Sequence, residues 1–329
     1  MLAITCPGQG AQTPGFLQPW LDVDGVAERL GWLSAVSGVD LLTHGTTSDA
    51  DTIRDTAIAQ PLIVAAALAV APAILGGAGG PTGSGGSTGA APADAVVAGH
   101  SVGEFAAAAL AGVLSAEQAI VLVRERGRAM AAASAVTPTG MSAVVGGDPT
   151  EVSEVIEKFG LTAANVNGSG QVVAAGTLEQ LAELAAAPPA RARVIPLQVA
   201  GAFHTHHMAP AVDVLAQLAA AVTPAAPTAR LLSNADGAVL DSPTQALGRL
   251  VTQVSNPVRW DRCLQTLADL GVTALIELPP AGTLVGLAKR ALPGVELLAV
   301  KTPDDLDAAR DLVARHSGAT AAAASGAIA

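Results

Sequence analysis

The sequence predicts an α/β protein: a parallel sheet flanked by helices, with a small α+β domain inserted into it. Three observations predict this. Short apolar runs at 2–5, 95–99, 230–233, 273–278 and 297–300 alternate with longer helical segments, as parallel strands joined by helical crossovers do. Between residues 136 and 198 the order becomes strand, helix, strand, strand, helix, strand, which is the split βαβ pattern. The chain has 329 residues, half of them hydrophobic and 14% charged, enough to bury one large core and a smaller one.

Taken in order, residues 2–5 read as a short buried strand that ends in the loop Pro7-Gly8-Gln9-Gly10. Residues 58–75 read as a helix with Pro61 in its first turn, where a missing N–H costs little. The run 61–75 is very apolar, but it is short for a membrane span and interrupted by Pro72, so it reads as a buried core helix. Residues 76–94 are rich in Gly, Ser, Thr and Pro and read as a flexible surface loop. The strand at 95–99 runs directly into an apolar helix from Val102 to about Val113. A second helix at 117–133 carries Arg124, Arg126 and Arg128. Strands at 140–146, 161–167, 171–176 and 192–199, with helices at 149–159 and 177–187, make up the inserted domain, 136–198. The main core is then expected over 1–135 plus 199–315, and residues 316–329 read as a low-complexity tail.

Composition removes several functions. Four Phe, three Trp and no Tyr leave a core of Ala, Val and Leu and no stacking platform for bases. A net charge of −11 opposes binding to nucleic acid, where neutralisation of phosphates supplies most of the affinity. Two cysteines, Cys6 and Cys263, allow neither a disulfide framework nor CxxC metal spacing, and suit a reducing compartment. No basic segment precedes an apolar stretch at the start, so no secretory signal is expected and the cytoplasm is the expected location.

Gly99-His100-Ser101-Val102-Gly103 matches G-x-S-x-G. The pattern alone arises by chance in a chain with 35 glycines. Here it sits between a buried strand and a helix, where it has a mechanical meaning: a tight turn pushes Ser101 outward and aims helix N–H groups at it. The core is accordingly expected to be α/β-hydrolase-like, and the inserted subdomain ferredoxin-like.

A serine hydroxyl needs a base at neutral pH. The chain has six histidines. His100 sits inside the turn and is expected to support it, while His44 reads as part of a polar loop with no partner in sight. His204, His206 and His207 cluster, but no Asp, Glu or Cys is placed to complete a metal site locally, so no metal is expected. His204 follows Gly201-Ala202-Phe203 at the end of the strand at 192–199, where a base can reach Ser101.

Four segments in order resemble the signatures of malonyl-CoA:acyl carrier protein transacylases and of the acyltransferase domains of fatty acid and polyketide synthases. They are Gly8-Gln9-Gly10-Ala11-Gln12, Gly99-His100-Ser101-Val102-Gly103-Glu104, Gly201-Ala202-Phe203-His204-Thr205 and Gln253-Val254-Ser255-Asn256-Pro257-Val258-Arg259-Trp260. The resemblance runs from about residue 2 to about 313, with Cys6 standing where the family often has a bulkier residue.

The resemblance implies Ser101 as nucleophile, His204 as general base, and the backbone N–H groups of Gln9 and Val102 as the oxyanion hole. Arg126 aligns with the arginine that holds the substrate's free carboxylate, a task suited to a two-pronged guanidinium. Its flanking arginines read as surface residues. Gln253 matches a residue whose backbone carbonyl orients the histidine, with Asn256 nearby, so a dyad replaces a full triad. Gln9, Phe203 and Asn165 are further expected to line the substrate site.

The expected reaction is ping-pong transfer of malonyl from malonyl-CoA to the phosphopantetheine thiol of acyl carrier protein. No cofactor beyond the coenzyme A thioester substrate, no nucleic acid or membrane partner, and a monomer are expected. Phe203 resembles the malonyl-type motif, although one methyl discriminates by only ~1–3 kcal/mol. The alternatives are transfer of another acyl-CoA such as methylmalonyl-CoA, a serine esterase or thioesterase, and a non-catalytic carrier-binding module. An esterase of this class carries an acid between Ser and His, and no acid motif stands out there. Arg191 with Arg193, or Lys289 with Arg290, are the candidate basic patches for an acidic carrier.

Overall fold

The computed structural model describes residues 1–76 and 89–317. The expected flexible loop over 76–94 and the tail over 316–329 fall largely outside these residues. In chain order the elements are β1 (Leu2–Cys6), α1 (Val26–Ser37), α2 (Leu41–Thr46), α3 (Ala50–Arg54), α4 (Thr56–Leu75), β2 (Val96–Gly99), α5 (Gly103–Leu110) and α6 (Ala116–Ser134). Then come β3 (Thr139–Gly146), α7 (Pro149–Lys158), β4 (Thr162–Gly168), β5 (Gln171–Thr177), α8 (Leu178–Ala186) and β6 (Ala192–Pro196). The chain returns with α9 (Ala209–Ala219), β7 (Arg230–Leu232), β8 (Val239–Leu240), α10 (Pro243–Thr252), α11 (Trp260–Asp269), β9 (Ala274–Glu277), α12 (Thr283–Ala291), β10 (Glu296–Ala299) and α13 (Leu306–His316).

The larger sheet has the order β10-β9-β1-β2-β7-β8. All its pairings are parallel except β7 with β8. Every residue of β1 and β2 is buried, as expected of strands covered on both faces. Leu2, Ile4 and Cys6 point into a core shared with α1, α4, α5, α6 and α13, while Ala3 and Ala98 point into a second core with α11 and α12. The short β8 hairpin edge carries too few residues to signal itself in the sequence.

The Ala-rich α4 shows how little a helical stripe is needed at the centre of such a core. It is long and apolar enough to cross a membrane by length and composition, yet 83% of its most apolar window is buried inside the protein. It starts at Thr56, capped by the Asp55 carboxylate, which accepts from Ala57 N at 2.8 Å. Pro61 is therefore inside the helix rather than in its first turn. Similarly, α5 stops at Leu110 rather than Val113, because Gly112 takes a left-handed φ of 78°.

The second sheet is antiparallel, in the order β4-β5-β3-β6. Val144 and Ala174 face α7 and α8 on one side. Met141, Ala143 and Ala175 face α6 and α9 on the other. Two backbone bonds fasten β4 to the segment before α11: Val166 N donates to Val258 O and Val258 N to Ala164 O, both at 2.8 Å. Pairing of β6 ends at Pro196, so the expected strand to residue 199 is cut short and His204 is not at a strand end. A proline cannot donate to a ladder.

Candidate active site

The chemistry gathers where β1 and β2 end side by side. Beyond Gly99 the chain turns so sharply that Ser101 takes φ 53°. A left-handed L-residue costs ~1–2 kcal/mol, so the turn must be held by its surroundings. Two glycines allow it: a Cβ on Gly99 would strike the backbone of Gly103, and one on Gly103 would strike the Cys6 carbonyl of β1. Asn234, in the turn after β7, holds it. Its Oδ1 accepts from Ser101 N at 2.7 Å and its Nδ2 donates to Gly99 O at 2.7 Å. His100 N donates to Cys6 O at 3.0 Å. The His100 ring bonds Asn167 Oδ1 through Nε2 at 2.9 Å and meets Trp260 edge-on, so it supports the turn from the β4 side.

His204 has the same unusual backbone, φ 62°, and its N–H donates to Val254 O at 3.0 Å. Its Nδ1 lies 2.8 Å from the backbone carbonyl of Gln253, which can only accept, so Nδ1 carries the proton. Nε2 is left with a lone pair, 2.7 Å from Ser101 Oγ. Burial first, and then the nearby Arg126 charge, push the imidazole down to about 3. The ring is neutral at physiological pH and ready to accept a proton.

Arg126, on α6, is fully buried. Its Nη1 donates to Gln60 Oε1 of α4 at 2.7 Å, and its Nη2 donates to Gln253 Oε1 at 2.7 Å and to Ser101 Oγ at 3.3 Å. Its Nε has no partner among the described residues. Burial lowers it to about 9, partly offset by Glu104, so it stays cationic near neutrality. A buried cation with a spare donor beside the nucleophile is an incomplete arrangement that an anionic group would complete.

The Gln9 loop closes the other side. Gly8 packs so tightly on the turn that a Cβ there would lie 2.9 Å from His100 O. Neither Gln9 N nor Val102 N has an acceptor among the described residues. The Gln9 side chain points away from the serine, toward Arg54 O at 3.3 Å. A cavity of about 400 Å³ opens beside Gln9, walled by Pro14, Ile53 and Arg54 on one side and Leu197 and Val199 on the other.

The other expected residues have the following surroundings. Asn256 is exposed and its side chain donates to Thr252 O at 2.7 Å, while its backbone, beside that of Gln253, lies within hydrogen-bonding reach of the His204 ring. Asn165 Oδ1 is buried without a partner among the described residues, and it is Asn167, two positions on, that meets the turn. Phe203 is packed in a core cluster with Met130, Met141 and Val254. The ring near the guanidinium is Phe105, 5.9 Å from Arg126. Arg124 and Arg128 both pair with Glu125. His44 belongs to α2, not a loop, and bonds Ser48 Oγ at 3.0 Å. The His206 and His207 rings stack on one another, 4.1 Å apart. Among the described residues no group of three or more His, Cys, Asp or Glu gathers as a metal site would require.

Sequence reasoning missed Gln60, Asn234 and Asn167, which carry no motif. Glu104 was inside a quoted motif but was given no role. Its carboxylate is buried, accepting from Asn234 N at 2.6 Å and from Gln253 Nε2.

Serine, neutral imidazole and guanidinium thus meet at one hydroxyl oxygen, a geometry suited to moving an acyl group that carries its own negative charge. A sequence profile of the acyl transferase domain matches residues 5–302. The malonyl CoA-acyl carrier protein transacylase of Mycobacterium tuberculosis (strain ATCC 25618 / H37Rv) is 51% identical over 93% of this chain and 98% of that protein. A crystal structure of MCAT from Mycobacterium tuberculosis superposes with TM-score 0.86 at 50% identity, covering 94% of this chain and 99% of that one. A malonyl-transacylase solved in complex with its type II PKS acyl-carrier protein superposes with TM-score 0.84 at 29% identity, covering 94% of this chain and 99% of that one.

Proposed function

The chain belongs to the acyl transferase domain family, and from that premise we propose that it transfers malonyl from malonyl-CoA to the phosphopantetheine thiol of acyl carrier protein, through an ester on Ser101. The observation that carries this reading is that one atom, Ser101 Oγ, is 2.7 Å from His204 Nε2 and 3.3 Å from Arg126 Nη2.

In the first half-reaction His204 Nε2 takes the hydroxyl proton as Oγ attacks the thioester carbonyl. The new C–O bond puts negative charge on the carbonyl oxygen, which the free N–H groups of Gln9 and Val102 receive. The C–S bond then breaks, and His204 returns the proton to the departing coenzyme A sulfur. In the second half-reaction the carrier's thiol gives its proton to His204 and attacks the ester. The C–O bond breaks and Oγ recovers the proton. The Gln253 carbonyl stabilises the transient imidazolium in the way an aspartate does in a triad, with a dipole in place of a charge.

Arg126 takes the malonyl carboxylate, using Nε and an Nη freed from Ser101. This favours malonyl over neutral acyl groups. It also occupies the space that a hydrolytic water would need, which favours transfer over hydrolysis. No cofactor is proposed beyond the coenzyme A thioester, which is substrate. Cys6 and Cys263 are free and buried, which suits the cytoplasm as the place of action. The test is intact-mass analysis after mixing with malonyl-CoA. One malonyl adduct is expected on the native protein, none on Ser101→Ala, and carrier protein should discharge it. Release as free malonate with the carrier unacylated would overturn the transfer reading in favour of an esterase.

A further inference from the structure

The buried carboxylate of Glu104 has no part in the reaction just described, yet it sits directly behind it. It lies on the first turn of α5, three residues after the nucleophile, and is 5% exposed. Burying a carboxylate is costly unless its oxygens are used. Both are used here, and both partners belong to the site. Oε1 accepts from the backbone N–H of Asn234, the residue whose side chain holds the Ser101 turn. Oε2 accepts from Nε2 of Gln253, the residue whose backbone carbonyl holds His204.

The second contact fixes a direction. A side-chain amide has one donor end and one acceptor end, and only its neighbours decide which way it points. A carboxylate accepts only, so Glu104 draws the Nε2 end of Gln253 toward itself, where that nitrogen also donates to Ser101 O at 2.9 Å. The Oε1 end is thereby turned to Arg126 Nη2 at 2.7 Å. Guanidinium, amide and carboxylate form one chain of donors running from α6 to α5. Reversed, the amide would set its NH2 against a guanidinium that can only donate.

We propose that Glu104 is the positioning residue for substrate selection: by fixing the orientation of the Gln253 amide it holds the Arg126 guanidinium where a malonyl carboxylate meets it. The proposal rests on the acyl-transfer reading and goes further, giving the selectivity of the site a dependence on a group that touches no substrate. Glu104 is also the acid whose charge supports the cationic Arg126 among the described residues.

The arrangement predicts an unusual pH signature. Burial raises the Glu104 carboxyl to about 7, against the lowering effect of its bonds to Asn234 and Gln253 and of the Arg126 and Arg249 charges. As pH falls through about 7 the carboxyl gains a proton and ceases to be acceptor-only, so the amide loses its fixed direction. His204, pushed down to about 3, does not titrate in that window. The other ionisable groups around Glu104 are the guanidinia of Arg126 and Arg249 and the Cys263 thiol; Arg126, lowered to about 9, and Cys263, raised by burial, keep their charge states between pH 5 and 8.

The experiment compares malonyl-CoA with acetyl-CoA as donors for the native protein, Glu104→Gln, Glu104→Asp and Gln253→Leu, with melting temperature recorded for each. Native protein that forms no malonyl-serine would refute the acyl-transfer reading itself. Given a native adduct, Glu104→Gln is expected to lower kcat/KM for malonyl about tenfold or more, mainly in KM, and for acetyl by about threefold or less. The acid limb near pH 7 in native malonyl KM should vanish in that variant. Glu104→Asp, still acceptor-only, should recover most of the malonyl preference. Equal losses for both donors, a retained acid limb in Glu104→Gln, or an Asp variant no better than Gln would overturn the proposal. If Glu104→Gln does not fold, Gln253→Leu decides: it removes the amide but keeps the backbone carbonyl, and an unchanged malonyl-to-acetyl ratio there would overturn the proposal equally.

Discussion

The two sheets of the molecule are built to different standards. The strands of the larger one that flank the site, β1 and β2, are buried along their whole length, and the carbonyls and glycines at their ends touch the nucleophile's turn directly. The smaller one buries most of its central strands β3 and β5, but its outer strands are half-buried in β4 and exposed in β6, where Ile195 is 43% exposed. Its direct hydrogen bond to the turn is the one that Asn167 Oδ1 accepts from His100 Nε2, and the loop that follows it walls the cavity beside Gln9. The difference separates two jobs. The parallel core fixes atoms to within a hydrogen-bond length, where bond-making needs it. The antiparallel sheet, through the loop after β6, supplies one wall of the cavity beside Gln9.

The largest effect should come from the core. Ser101→Ala removes the atom on which the three groups meet and should lower transfer by at least ~10⁴-fold. Melting temperature should change little, because the turn is held by Asn234 through backbone atoms and not by the hydroxyl. A Ser101→Ala protein that still transfers malonyl at a tenth of the native rate would remove the chemistry from the larger sheet altogether.

Next is Arg126→Ala, on the helix that packs between the two sheets. Truncating one partner of a buried ion pair costs ~3–5 kcal/mol. At ~1.4 kcal/mol per tenfold, malonyl kcat/KM should fall on the order of 10²–10³-fold. Acetyl transfer should fall far less, so the malonyl-to-acetyl ratio is the quantity to measure. An unchanged ratio would mean that the spare Nε serves the fold rather than the substrate.

These expectations show how the sequence could be read and where it could not. The turn at Ser101 was legible because strand, glycine spacing and helix coincide within a few residues. The separate approach of His204 was legible through a resemblance and not through spacing, since about a hundred residues of chain separate it from the serine. Asn234 and Gln60 were illegible. Each acts through one amide placed by tertiary packing, and an amide in a turn or in an apolar helix has no periodicity to mark it. The contact of Asn167 with His100 was illegible for a similar reason. β4 has register shifts between Ala163 and Asn165 and between Val166 and Gly168, which break the simple alternation of faces that a sequence reading relies on. The start of α4 was missed because Asp55 caps it just ahead of the apolar run.

A smaller effect tests whether the second sheet touches the chemistry at all. Asn167→Ala removes the acceptor opposite His100 Nε2, a neutral bond worth ~1 kcal/mol. Malonyl transfer should fall no more than about tenfold, equally for both half-reactions, because the turn itself is held by Asn234. A loss comparable to that of Arg126→Ala would break the division between the two sheets, making the smaller one part of the catalytic framework.

The smallest effect belongs to the surface where the carrier protein approaches. Of the two basic patches marked in the sequence, topology favours one. β1 and β2 deliver Gln9 and Ser101 at their C-terminal ends, and β9 runs parallel to β1. α12 begins beyond that end of β9 and runs back along it, so Lys289 and Arg290 in its last turn lie at the opposite edge of the sheet. At the start of β6, by contrast, Arg191 just before the strand and Arg193 on it are exposed, and the chain continues through Ile195 to Leu197 at the cavity beside Gln9. Charge reversal at Arg191 and Arg193 should slow transfer to carrier protein several-fold at low ionic strength, with the difference fading as salt rises, and should leave the rate of Ser101 acylation by malonyl-CoA near native. Reversal at Lys289 and Arg290 should change neither step. If the second pair proves the sensitive one, the carrier does not approach over the smaller sheet, and that sheet's exposed edge needs another explanation.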